Sequence, residues 1–241
     1  MSRYVIVTGA SRGIGYAVAA AFAAEGDQVL ITGRNRDALD AAAAALGANV
    51  TAAVCDASDP ASVEALEPAL PPTVDVLVNN AGGNTDFGRP DPRDLKELAE
   101  SWRANLDANL VSAVLMTTAV SARLAPGGAV VSIGSIAADK GTGSYGAAKA
   151  GLGSWNAGLA AELGQRGVTA NVVAPGYIEG TEFFRGRLTS QRRDLLISQT
   201  ANGRPGTADD VAGTVLFLAS PASRHVTGQV IAVNGGARTT R

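Results

Sequence analysis

The chain has 241 residues, of which 46% are apolar and 17% charged, with a formal net charge of −2 and one cysteine, Cys55. That charge argues against a nucleic-acid surface. A single thiol excludes disulfides and thiolate metal clusters and suits a reducing compartment. No apolar run reaches the ~20 residues of a membrane span, and a strand begins within a few residues of Met1, so a soluble, cytoplasmic, single-domain protein (1–241) is expected.

Tyr4 to Thr8 is apolar without alternation, the pattern of a strand buried on both faces of a parallel sheet. Gly9, Gly13 and Gly15 follow, and an alanine-rich helix opens from them and runs to Ala24, with Gly26 as its stop. Glycines let the backbone turn sharply and approach whatever sits above the strand end. The helix aims unpaired amides and its positive dipole end at the same spot. The natural occupant is a phosphate, or a pyrophosphate where the ligand is a dinucleotide. The spacing is not the commoner G-x-G-x-x-G, so the turn needs support from the rest of the chain.

Gln28 to Thr32 reads as the second strand, Asn35 to Leu46 as a helix ended by Gly47, and Val50 to Val54 as the third strand. Asp59-Pro60 starts a helix that fades by Pro68. Val74 to Val78 is a fourth strand, ending in Asn79-Asn80-Ala81-Gly82. After a loop rich in Gly, Pro and Asp, a helical pattern runs from about Asp94 to Leu124 with room for a break. Ala129 to Ile133 is a fifth strand, Tyr145 to Leu163 a long helix, and Val168 to Val173 a sixth strand. Pro175 to Pro205 is polar and irregular, with space for one or two short helices. Thr207 and Asp210 form an acidic capping box for a helix to Leu218, and Val230 to Val233 is the last strand. Repeated β-α-β units force right-handed crossovers. They predict an α/β fold, a Rossmann-type doubly wound parallel sheet of about seven strands with helices on both faces.

Ligands of such sheets bind outside the carboxyl ends of the strands. Those ends deliver Asn79-Asn80-Ala81-Gly82 and Ser132-Ile133-Gly134-Ser135, and the next helix carries Tyr145 with Lys149 one turn later. Residues four apart share a helix face, so phenol and ammonium can lie side by side. A tyrosine of pKa roughly 10 is too weak a base near neutral pH, and a nearby cation favours the phenolate. Lowering it by about 3 units takes roughly 4 kcal/mol, within reach of one lysine plus an oxidised nicotinamide ring.

Together these stretches resemble the short-chain dehydrogenase/reductase family over essentially the whole chain, and among its members the 3-oxoacyl-[acyl-carrier-protein] reductases. Thr8-Gly9-Ala10-Ser11-Arg12-Gly13-Ile14-Gly15 matches the family's cofactor turn, Asn79-Asn80-Ala81-Gly82 its strand motif and Tyr145-Gly146-Ala147-Ala148-Lys149 its Y-x-x-x-K. Trp102 to Asn109 has the family's spacing to its helix asparagine, and Pro175-Gly176 and Val226-Thr227-Gly228-Gln229…Asn234-Gly235-Gly236 match later landmarks. The resemblance implies hydride transfer between a nicotinamide and a carbonyl or secondary alcohol. Tyr145 would be the general acid or base. Lys149 would hold the nicotinamide ribose and depress the tyrosine pKa, and Ser135 would bond the substrate oxygen. Asn109 would position a water of the proton relay. The implied cofactor contacts are Gly9, Ser11, Arg12, Gly13, Ile14, Gly15, Arg34, Asp56, Ala57, Asn80, Ala81, Gly82, Tyr145, Lys149, Pro175, Gly176 and Ile178. The substrate would touch Ser135, Tyr145 and Tyr177.

NAD selectivity needs an acid at the end of the second strand. That position is Gly33, with Arg34 beside it and Arg12 inside the turn. Two guanidiniums and no carboxylate suit a 2′-phosphate, so NADPH is expected over NADH. Two departures stand out. Ser135 to Tyr145 is shorter than the family's gap, with Ser132 nearer the common spacing, and Gly180 sits where a threonine is usual, with Thr181 one later. Tyr177 to about Pro205 has the character of a lid over the substrate. Arg185, Arg187, Arg192 and Arg193 could dock an acyl carrier, or be a solvated helix face. His225 reads as structural. No metal is implied. Homo-oligomers, tetramers or dimers built on Leu95–Leu124 and Tyr145–Leu163, are usual in the family. An NADP-dependent alcohol dehydrogenase shares the same site residues. A dinucleotide-sensing regulator would be expected to lack Tyr145 or Lys149, and a dehalogenase-type lyase would lack the glycines and carry arginine at 149.

Overall fold

A computed structural model describes residues 2–87 and 89–239. Seven parallel strands form one sheet in the order β3-β2-β1-β4-β5-β6-β7. They are β1 (Tyr4–Thr8), β2 (Gln28–Gly33), β3 (Val50–Val54), β4 (Val74–Asn79), β5 (Leu124–Ile133), β6 (Thr169–Pro175) and β7 (Val230–Val233). The helices that cross between them are α1 (Gly13–Ala24), α2 (Arg36–Leu46), α3 (Pro60–Glu64), α4 (Leu95–Leu106), α5 (Ser112–Val120), α6 (Ala137–Lys140), α7 (Gly143–Gly164), α8 (Ser190–Ser198) and α9 (Ala208–Leu218). The expected doubly wound sheet is therefore present. Order reverses between β1 and β4, which opens a crevice at their carboxyl ends.

Strand pleating splits the core into two layers. Val5 and Val7 of β1 point to one face, where Val18, Ala19 and Phe22 of α1 meet Val211 and Val215 of α9. Ile6 points to the other, among Met116 and Val120 of α5 and Leu159 and Leu163 of α7. Both faces of the central strands are covered, and this is why they carry no polar alternation.

Local differences from expectation concentrate at element ends. The helical run after Asp94 does not break. A single π turn (Asp107–Val111) joins α4 to α5, which ends at Val120. β5 starts at Leu124 rather than Ala129, with an irregular register against β4 between Val74 and Val76. α7 starts two residues early, and the one-turn α6 lies between Ser135 and Gly141. The irregular excursion holds one 3₁₀ turn (Glu182–Phe184) and α8. The capping box of α9 is formed: Asp210 N donates to Thr207 Oγ1 at 3.2 Å and Thr207 N to Asp210 Oδ2 at 2.8 Å.

Candidate active site

The turn after β1 is held by β4. Asn80 Nδ2 donates to the carbonyls of Thr8 and Gly9, both at 2.9 Å. Thr8 Oγ1 accepts from the amides of Asn80 (3.0 Å) and Ala81 (2.9 Å). This lacing leaves no space for side chains: a Cβ on Gly9 would lie 2.8 Å from Ala81 Cα, and one on Gly15 2.5 Å from the Gly9 carbonyl oxygen. Gly9 also has φ +64°, a conformation glycine adopts without strain. The backbone is thus bared along the mouth of the crevice, with the amino end of α1 pointing into it. That geometry and donor set fit a pyrophosphate.

The crevice widens into a cleft of about 450 Å³. Its walls take in Gly9, Arg12, Gly13, Ile14, Gly15 and Arg34 at one end. Asn80, Ala81, Gly82, Ser135, Tyr145 and Lys149 lie along its floor, and Pro175, Gly176, Tyr177 and Ile178 on the far side. Four predicted residues, Ser11, Asp56, Ala57 and Asn109, are not part of this lining. Asp56 has turned its Oδ1 to Ser58, accepting from its amide (3.0 Å) and hydroxyl (2.7 Å). These bonds, with the charge of Arg34, hold its carboxyl below the usual range. Ala57 is packed into the core. The Asn109 amide is spent on backbone: Oδ1 accepts from Gly83 N (2.9 Å), and Nδ2 donates to the carbonyls of Gly83 and Asn105, both at 3.0 Å. Its side chain pins the loop after β4.

Tyr145 and Lys149 sit in the first two turns of α7, each only 6% exposed. Lys149 Nζ lies 5.9 Å from the centre of the Tyr145 ring and donates to the Ile133 carbonyl at 2.7 Å. Burial pushes the phenol up to about 12, opposed in part by the Ser135 hydroxyl, and it pulls the Lys149 ammonium down to about 8. In the chain alone desolvation dominates the phenol, and the Lys149 ammonium donates to a carbonyl rather than to the phenol. Ser132 is fully buried within the sheet, where its Oγ accepts weakly from Asn79 Nδ2 at 3.5 Å. Ser135, beyond the strand end, is the serine on the cleft.

Sequence reasoning missed the aromatic wall. The Phe183 ring lies 5.6 Å from that of Tyr145 and meets Phe87 edge-on at 5.5 Å and Phe184 at 5.1 Å. Tyr177 closes the group at 6.0 Å from Phe184. The one available signal was Phe183-Phe184 inside a polar excursion of a chain that is only 5% aromatic. Phe87 had none. Two contacts tie the excursion down. Arg185, at φ +49°, donates from Nη1 to the Phe87 carbonyl at 2.7 Å, and Glu182 pairs with Arg12. Thr181, flagged as displaced by one position, still reaches the cleft and donates to the Ile178 carbonyl at 3.1 Å. His225 is exposed and lies outside it. Among the described residues no helix is long and apolar enough to cross a membrane, and no His, Cys, Asp and Glu cluster could hold a metal.

Comparison with known proteins finds relatives along nearly the whole chain. A family model described as enoyl-(acyl carrier protein) reductase matches residues 9–238. The 3-oxoacyl-[acyl-carrier-protein] reductase FabG of Escherichia coli is 38% identical, the alignment covering 97% of this chain and 96% of that protein. A solved oxidoreductase of the short-chain dehydrogenase/reductase family from Burkholderia thailandensis is 39% identical, with a TM-score of 0.82 and coverage of 98% and 93%. A blue fluorescent protein from a metagenomic library, solved in complex with NADPH, is 34% identical with a TM-score of 0.87 and 98% coverage of both chains.

Proposed function

Because this chain belongs to the short-chain dehydrogenase/reductase family of oxidoreductases, we propose that it reduces a ketone carbonyl with NADPH, Tyr145 serving as the general acid. The observation that carries this reading is the buried pair of Tyr145 and Lys149, one helical turn apart on the floor of a cleft whose other end is a bared glycine turn. The bound nicotinamide would supply the hydride to the carbonyl carbon. Ser135 bonds the carbonyl oxygen where negative charge develops. The Tyr145 phenol delivers the proton that completes the hydroxyl. Gly9 to Gly15 receive the pyrophosphate, and Lys149 the nicotinamide ribose.

A phenol held at about 12 is protonated throughout the neutral range, as an acid must be. For the cofactor, Gly33 offers no carboxylate at the end of β2, and the exposed Arg34 lines that end of the cleft, an arrangement that favours a 2′-phosphate. A carrier-borne acyl substrate, the kind named for FabG, finds a reduced docking patch. Arg185 is held by Phe87, and Arg193 by Glu179 at 2.7 Å, so Arg187 and Arg192 are the arginines that remain.

Tyr145→Phe tests the assignment. It should bind NADPH unchanged and lose turnover of any accepted ketone by about 10²–10⁴-fold. Undiminished turnover would remove Tyr145 from the chemistry.

A further inference from the structure

The geometry points to a flat, ring-bearing substituent on the ketone, seated against Phe87, Phe183 and Phe184. This rests on the reductase reading above and specifies its substrate.

The chain builds its core mostly from Val, Ile, Leu and Ala, with Phe22 its one fully buried phenylalanine among the described residues, and owns five phenylalanines and four tyrosines in all. Three of those phenylalanines and two of those tyrosines meet on one side of the cleft, ring against ring at 5.1–6.0 Å. They come from three separated places, the loop after β4, the first turn of α7, and the stretch Tyr177 to Phe184. Their convergence is a product of the fold rather than of local composition. Phe183 packs against the Tyr145 ring, tilted at 54° to it. A carbonyl presented to the Tyr145 hydroxyl and Ser135 therefore places whatever extends beyond its carbon among ring faces and edges. Aromatic groups prefer such offset and edge-on partners beyond what burial alone provides, and a flexible alkyl chain does not share that preference. The wall is also anchored, since Arg185 bonds the Phe87 carbonyl and so fixes the excursion carrying Phe183 and Phe184 to the loop carrying Phe87.

The test compares kcat/KM with NADPH for three β-ketoesters differing only at the ketone: ethyl benzoylacetate, its cyclohexyl counterpart and ethyl acetoacetate. The wild-type protein is expected to favour the phenyl over the methyl ester by about tenfold or more, equivalent to about 1.4 kcal/mol, and to favour phenyl over cyclohexyl. Phe183→Leu, which keeps an apolar side chain, should collapse the ratio of kcat/KM for the phenyl over the methyl ester. Phe184→Leu provides a second variant, and NADPH binding by each reports that it is folded. Equal or better use of the methyl or cyclohexyl ester by wild type, or a phenyl preference that survives both variants, overturns the proposal. Binding of NADPH with no turnover of any of the three esters would instead strike at the reductase reading itself.

Discussion

Tyr145 and Lys149 show burial and catalysis pulling in different directions. Burial lowers the Lys149 pKa from 10.5 to about 8, so between those values the folded chain binds fewer protons than the unfolded one. Stability contributed by this group thus rises with pH across that window, and below pH 8 its cost stands in full. At 1.36 kcal/mol per pKa unit the cost is roughly 3 kcal/mol. The stability difference between Lys149→Met and wild type should therefore move by roughly 3 kcal/mol in the wild type's favour from pH 7 to pH 10.5. Urea unfolding at both pH values measures it, and a difference constant with pH contradicts the burial argument. Tyr145 has the opposite sign: burial penalises its phenolate, so this group costs nothing below pH 10 and lowers stability as pH rises above it. Cofactor choice turns on other single side chains. Arg34→Asp should lower the ratio of kcat/KM for NADPH over NADH by at least about tenfold, since a charge-assisted hydrogen bond becomes a repulsion. An unchanged ratio would move the selectivity elsewhere.

The elements differ in how far local pattern could reach. β1, the glycine turn and α1 were readable because each depends on its own residues: an unbroken apolar run, small residues where backbone passes close to backbone, an alanine-rich helix. Their exact closeness needed β4, whose Asn80 occupies the space beside Gly15. Gly15→Ala should accordingly displace Asn80 or the Gly9 carbonyl and weaken NADPH binding by an order of magnitude or more, while the far-ultraviolet circular dichroism stays unchanged. Titration of NADPH fluorescence reads this, and wild-type affinity would contradict it. The π turn at Asp107–Val111 left no mark in the periodicity. It adds a residue to one turn without interrupting the helix, and the apolar pattern around it continues. The single turn of α6 was equally hidden. Four residues of Ala137-Ala138-Asp139-Lys140 are too few to show a period.

At the scale of the molecule, α4 leaves apolar groups that the core does not use. Leu95 (83% exposed), Leu98 and Trp102 line one side of α4 at helical spacing. We infer that this stripe is covered by a second copy of the chain. Light scattering on the wild type should then give a dimer or tetramer, and Leu98→Glu with Trp102→Glu should lower the mass without loss of helix content. A monomeric wild type overturns it. The order and class of the elements, the glycine turn and the pairing of Tyr145 with Lys149 were set along the sequence, because they follow from periodicity and from spacings within one turn or one helix. The commitment of Asn109 to Gly83, the high phenol pKa and the aromatic wall were settled by folding. Each depends on groups brought together from distant positions, Phe87 and Phe183 among them, and desolvation exists only once the chain has closed around a group.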